Sequence, residues 1–139
     1  MIDHRQLTRK EMKRLIEESD ESETKHLKQA LIDSNLDAYD FIAKLTKEND
    51  GLLSNGQPIY LAGLSHDNEL WTVVNKEVKE QLSLYKNSKR VVEKWREKYG
   101  TITATMEKTN PKSMRWVTRM GFKILSVDGV NVTFILNGG

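Results

Sequence analysis

The sequence predicts one α/β (α+β) domain, a central twisted mixed β-sheet flanked by helices, and three observations carry that expectation. Residues 7–48 are polar, contain no glycine and place their apolar residues at helical spacing. From Ile59 onward, short β-rich runs alternate with amphipathic segments. The glycines, at 51, 56, 63, 100, 121, 129, 138 and 139, fall at the turns, strand ends and helix stops that this pattern requires. With 139 residues, 37% apolar and 30% charged, the chain suffices for one domain with a real core and not for two domains.

Taken in order, Leu7, Met12, Leu15 and Ile16 mark a first helix. A second follows along Leu27, Leu31, Ile32, Leu36, Tyr39, Ile42 and Leu45. The segment between them, residues 17–24, has no apolar residue and offers Ser and Asp as N-cap groups. Asn49-Asp50-Gly51 is expected to close this helical part, residues 7–48, and residues 52–137 to form the sheet-containing part. Asn55-Gly56-Gln57-Pro58 is a turn signal. Residues 59–64 and 70–74 read as strands joined by the hairpin Ser65-His66-Asp67-Asn68. Leu82, Tyr85, Val92, Trp95 and Tyr99 then share a face of a long basic helix stopped by Gly100. Residues 101–106 are a strand, Asn110-Pro111 opens a helix stopped by Gly121, and residues 122–125 and 130–136 form a hairpin turned at Asp128-Gly129.

The absence of cysteine excludes disulfide scaffolds, thiolate–zinc sites and cysteine nucleophiles. No run of about 18 apolar residues occurs and the N-terminus lacks a signal-peptide core, so the protein is expected to be soluble and intracellular. Residues 1–50 carry 9 Lys/Arg against 12 Asp/Glu, and residues 51–139 carry 13 against 8, a net charge of −3 followed by +5. This mild basic bias is weak evidence for an anionic partner of the second half and fits a solvated mixed-charge surface better. His4 and His26 have no acid-paired spacing and are expected to be plain surface residues.

One stretch is more specific. In Asn110-Pro111-Lys112-Ser113-Met114-Arg115-Trp116-Val117-Thr118-Arg119-Met120-Gly121-Phe122, an Asn at a strand end precedes a small residue three positions on and a short helix ending in Gly-Phe. This resembles the acyl-CoA motif of the Gcn5-related N-acetyltransferase (GNAT) superfamily. The resemblance covers roughly the last 85 residues and implies an acetyl-CoA site. It brings Asn110 and Ser113 to the cofactor, with Val74, Lys76 and Lys79 near its phosphates. From Asn55-Gly56-Gln57-Pro58 through Trp71-Thr72-Val73-Val74 and Trp95 to Met120-Gly121-Phe122 and the last aromatic strand, the chain also resembles the internal core protein A family of short-tailed bacteriophages. That resemblance implies a phage-encoded protein of the host cytoplasm or the virion.

Two features depart from the family pattern. The family's phosphate loop is glycine-rich, because bare backbone N–H groups must approach the phosphates. Residues 75–83 here, Asn-Lys-Glu-Val-Lys-Glu-Gln-Leu-Ser, contain no glycine. Family members commonly place a tyrosine acid four residues before Gly-Phe, where this chain has Val117, which holds no proton. Glu69 is the candidate base, with His66 beside it, both in the predicted hairpin turn.

The sequence therefore favours a GNAT-like phage protein without efficient acetyl transfer, working through contacts with a phage or host protein in virion assembly or on a host factor. The alternative is an N-acetyltransferase in which Lys76, Lys79 and Lys86 replace the glycine cradle by charge and Glu69 or a water takes the amine proton. A second alternative is nucleic-acid binding by Lys86, Lys89, Arg90, Lys94, Arg96 and Lys98 of the long helix.

Overall fold

The computed structural model describes residues 2–19, 21–75 and 81–138, apart from the side chains of residues 2, 21–23 and 81–83. Strand β1 (Ile2–Arg5) leads into helices α1 (Arg9–Glu17), α2 (Glu21–Ser34) and α3 (Ala38–Leu45). Thr8 caps α1 in a reciprocal box: its hydroxyl accepts the Glu11 N–H at 3.3 Å and its own N–H donates to the Glu11 carboxylate at 2.9 Å.

Three helices stand where the sequence reads two, because Asn35 adopts a left-handed φ of 59° and stops α2 without a glycine. Asp37 then starts α3 by accepting the Asp40 N–H at 2.8 Å. Nor does Asn49-Asp50-Gly51 close the helical part, since it lies inside strand β2 (Thr46–Ser54). Gly51 opposes Arg5 of β1 and Leu61 of β3. A Cβ there would stand 2.4 Å from Leu7 Cγ, so this glycine makes room for a core leucine and not for a turn.

Strands β2, β3 (Gln57–Ser65) and β4 (Leu70–Val74) form a meander that β1 extends, giving an antiparallel sheet of order β1-β2-β3-β4. Its first turn places Asn55 and Gly56 both at positive φ, 51° and 82°, as a two-residue hairpin connection demands. Helix α4 (Gln81–Tyr99) crosses to β5 (Ile102–Glu107), and α5 (Pro111–Arg119) leads to the hairpin β6 (Lys123–Asp128) and β7 (Asn131–Leu136). These strands make a second antiparallel sheet of order β5-β7-β6. The expected central sheet is thus two sheets, whose mixed character rests on one parallel bridge, Glu69 to Thr103.

Strand β3 is buried from Pro58 to Leu64 because helices cover both its faces. On one face Tyr60, Ala62 and Leu64 join Leu84, Val92 and Trp95 of α4, and this cluster runs on through Val117 and Phe122 to Phe134 and Leu136. On the other face Leu53, Leu61 and Val73 meet Met12, Leu15 and Ile16 of α1 and Phe41 and Ile42 of α3. Of the predicted core aromatics, Trp95 and Phe122 are buried, while Trp71 is half-buried over Gly63. Leu82 lies outside the described side chains.

Candidate functional site

Among the described residues the two sheets are bridged at one place, the start of β4 and β5. There the Thr103 N–H donates to the Asn68 carbonyl at 3.0 Å. Asn68 holds this junction in a left-handed conformation, φ 63°, while its side chain donates to the Tyr99 carbonyl and accepts from Lys47. Beyond the junction, β4 pairs with β3 as far as Tyr60–Val74, and β5 with β7 as far as Glu107–Asn131. Among the described residues the facing edges of β4 and β5 carry no further pairing. The strands part into a cleft, roughly 16 Å deep for the five residue-to-residue steps from Glu69 to Val74 at a β-strand rise of about 3.3 Å.

The mouth of this cleft is polar. Ser19 bridges Asn75 just past β4, and the buried Asn75 amide donates to the Glu18 carboxylate at 3.0 Å. The Ser19 hydroxyl donates to the Ile16 carbonyl at 2.6 Å and lies 2.8 Å from the Thr24 hydroxyl. Arg14, 2.9 Å away, holds the Glu18 carboxyl below the usual carboxylate range. On the β5 side, His26 of α2 stands 3.7 Å from Glu107. The first turns of α2 therefore reach from the end of β4 to the end of β5. Only the Ser and Asp groups of residues 17–24 hint at this in the sequence, because the contacts to Asn75 and Glu107 are long-range.

The residues singled out by sequence separate into groups. Val74 ends β4, half-buried, opposite Tyr60. Lys76 and Lys79 lie outside the described residues. Asn110 caps α5: its side chain accepts the Ser113 N–H at 3.2 Å, and Pro111 occupies the first turn. Gly121, at φ 101°, ends that helix, and Phe122 turns into the core. Val117 is buried, and its carbonyl accepts the N–H groups of Met120 and Phe122, both at 3.1 Å. Glu69 is exposed at the joined end of the cleft with its N–H on the Ser65 hydroxyl at 3.0 Å, and the exposed His66 contacts the Lys44 carbonyl at 3.1 Å. Neither stands at the mouth.

Two histidines expected to lack acidic partners have them. His4 lies 2.6 Å from Asp50, a diagonal cross-strand pair on one face of β1 and β2, and His26 neighbours Glu107. Sequence spacing cannot show either pair, since 46 residues separate His4 from Asp50.

The long helix is less free in charge than its composition suggests. Arg96 pairs with Glu93 at 2.5 Å and Lys98 with Glu48 at 3.2 Å, with Lys94 also near Glu48. Lys86, Lys89 and Arg90 stay exposed and, among the described residues, without ion pairs, as do Lys112, Arg115 and Arg119 of α5. The Tyr85 hydroxyl donates to the Arg119 carbonyl at 2.7 Å and its ring meets Trp116 edge-on, which ties the two helices together. Among the described residues no cluster of three His, Asp or Glu side chains could hold a metal ion, and no helix is long and apolar enough to cross a membrane.

No family model and no curated protein sequence matches the chain. Solved structures do. The PaiA N-acetyltransferase of Thermoplasma acidophilum, solved with coenzyme A, is 14% identical with a TM-score of 0.71 over 99% of both chains. A GNAT-family acetyltransferase from Bacillus anthracis is 14% identical with a TM-score of 0.70, over 99% of this chain and 95% of the other. The spermidine N-acetyltransferase of Vibrio cholerae, solved with CoA and spermine, is 11% identical with a TM-score of 0.69, over 99% and 95%. At such identities the likeness speaks for the backbone alone, and on that ground, with its parted β4 and β5, the chain has the GNAT acetyltransferase fold.

Proposed function

We propose that the chain binds acetyl-CoA along the cleft between β4 and β5 and transfers the acetyl group to an amine. The observation that carries this reading is the parting of the two strands, which among the described residues leaves the edge of β4 between the Glu69–Thr103 and Ser19–Asn75 bridges without a strand partner. An extended amide-bearing arm can add to such an edge as a further strand. Bound there, acetyl-CoA would supply a thioester carbonyl for the amine to attack. Lys86, Lys89 and Arg90 of α4 and Arg115 and Arg119 of α5 offer unpaired charge for the phosphates. Asn110 has its side chain on the Ser113 N–H, so its part is to set the direction of α5. Val117 donates no proton, but a thiol of pKa near 8.5 leaves as the thiolate at neutral pH, so the missing acid slows transfer by about 10²–10⁴-fold without abolishing it. Glu69 is exposed at the closed end and away from the mouth, so in this reading the amine attacks as its free base and the proton it sheds on acylation goes to water or to the departing thiolate.

A second reading rests on the buried Val117 together with the glycine-free residues 75–83. Under it the scaffold is retained, transfer is lost and the protein works through phage or host protein contacts, in virion assembly or on a host factor. Calorimetry with acetyl-CoA, followed by transfer assays on a panel of amines and peptides, separates the two. Stoichiometric binding that Lys89→Glu and Arg90→Glu each weaken at least about ten-fold, with slow transfer, supports the first. Absence of binding at millimolar cofactor sinks it and leaves the second.

A further inference from the structure

We propose that the β6 edge is a homodimer interface, in which β6 of two copies pair antiparallel about a two-fold axis and join their three-stranded sheets into one of six. Strand β6 terminates its sheet, and all six of its residues are exposed. Large apolar side chains crowd it: Ile124 is 64% exposed, Leu125 56% and Val127 54%, with Val130 of the adjoining turn at 59%. Sheet edges are ordinarily guarded by a lysine or proline in mid-strand, by an inward charge or by a bulge, and of these β6 carries only the bulge at Leu125. Here the middle of the strand reads Ile124-Leu125-Ser126-Val127, and the only charges, Lys123 and Asp128, stand at its two ends.

That arrangement of charge selects a second copy of this chain as the occupant. Antiparallel two-fold pairing centred between Leu125 and Ser126 brings each Lys123 beside the partner's Asp128. It also brings each Ile124 beside the partner's Val127. Among the described residues neither Lys123 nor Asp128 forms an ion pair within its own chain, so both are available to a second copy.

The bulge at Leu125 makes the side-chain faces agree. Across β7, Ile124 opposes Phe134 and Val127 opposes Val132, so both lie on the face that carries the buried Val132 and Phe134. Lys123 opposes Ile135 and Asp128 opposes Asn131, which puts both on the other face. Without the register shift between Ile124 and Ser126, residues three apart would alternate faces and the pairing would set apolar against charged.

The opposite edge of the fold, β1, presents Asp3, His4 and Arg5, so it offers no matching apolar row for a head-to-tail contact. An isologous contact through β6 alone closes as a dimer and does not propagate into fibres. One strand edge is a small interface, so the dimer is weak, with Kd on the order of 10 µM.

Sedimentation velocity of the full chain from about 1 to about 500 µM tests the proposal, with far-UV circular dichroism to show that each variant folds. The expected result is a monomer–dimer equilibrium that Val127→Lys weakens at least ten-fold and Ile32→Lys, an equally exposed apolar site on α2, leaves unchanged. Lys123→Asp and Asp128→Lys should each weaken dimerisation, and the two changes together should restore it, a rescue that only cross-copy pairing of these ends produces. A monomer at the highest concentration, a dimer indifferent to Val127→Lys, or a double variant no better than the singles would each overturn it.

Discussion

Replacing Val117 by tyrosine asks whether the chain has merely lost an acid at this position or has no room for one. Val117 is 5% exposed within the cluster that includes Met120, Phe122 and Leu136. A tyrosine must force its ring into that packing, at about 1–3 kcal/mol. Its hydroxyl would add about 1–3 kcal/mol if buried without a partner. The sum, about 4 kcal/mol, is a large part of the about 5–15 kcal/mol that holds a domain together. At about 2–4 °C per kcal/mol for a chain near this size, Tm should fall by about 8–16 °C. Val117→Phe separates the contributions, because it overpacks without burying a hydroxyl and should lose about half as much. Thermal unfolding followed by circular dichroism measures both, and a thioester transfer assay runs beside it. An unchanged Tm for Val117→Tyr, or a gain in acetyl transfer, would refute the reasoning, for the new side chain would then be reaching the cleft and not the core.

Three further outcomes follow from the packing and the charges. The Arg5 guanidinium, 2.7 Å from Glu11, lowers that carboxyl to about 2, so its stabilisation is full above the unfolded carboxylate pKa of about 4.3 and is lost as pH falls through about 2. Glu11→Gln should therefore cost about 1 kcal/mol at pH 7 after solvent screening, and urea melts should show the gap to wild type closing below about pH 4; a gap constant with pH contradicts this. Gly63→Ala would put a Cβ 2.3 Å from Trp71 Cζ2, a rigid ring atom, and should cost about 1–3 kcal/mol, vanishing in a Trp71→Ala background; additive losses in that double-mutant cycle would disprove the clash. The buried hydroxyls of Tyr60 and Ser88 neighbour each other without good hydrogen-bond geometry and meet no other partner among the described residues, so Tyr60→Phe should be neutral or stabilising by up to about 1 kcal/mol, and a measured loss above about 1 kcal/mol would mean that the pair, or a bridging water, holds the hydroxyl.

The second half of the fold is legible because its breaks are local. Gly100, Gly121 and Gly129 sit at φ of 90°, 101° and 60°, conformations that glycine signals, and Asn110-Pro111 starts α5 by its own cap. The first half hides its breaks. Asn35 takes the left-handed turn a glycine would have announced, and β2 carries Lys47, Glu48, Asn49 and Asp50 in succession, a polar run without the alternation that marks a half-buried strand. Those residues fit a strand because partners from elsewhere meet them: His4 reaches Asp50, and Lys98 reaches Glu48.

The cleft was illegible for a different reason: it exists where pairing stops, and where β4 ceases to pair with β5 depends on a junction between Asn68 and Thr103 that no periodicity encodes. This difference bears on function. A binding edge made of backbone survives any substitution that keeps the strands apart, whereas an acid, a base or a glycine cradle disappears with one side chain. In this chain Val117 lies in the core, Glu69 stands at the closed end and residues 75–83 lack glycine, while among the described residues the cleft edge of β4 between its two end bridges carries no strand. Binding and turnover can therefore part company, and the affinity for acetyl-CoA, measured apart from any transfer rate, is the quantity on which the choice between enzyme and scaffold turns.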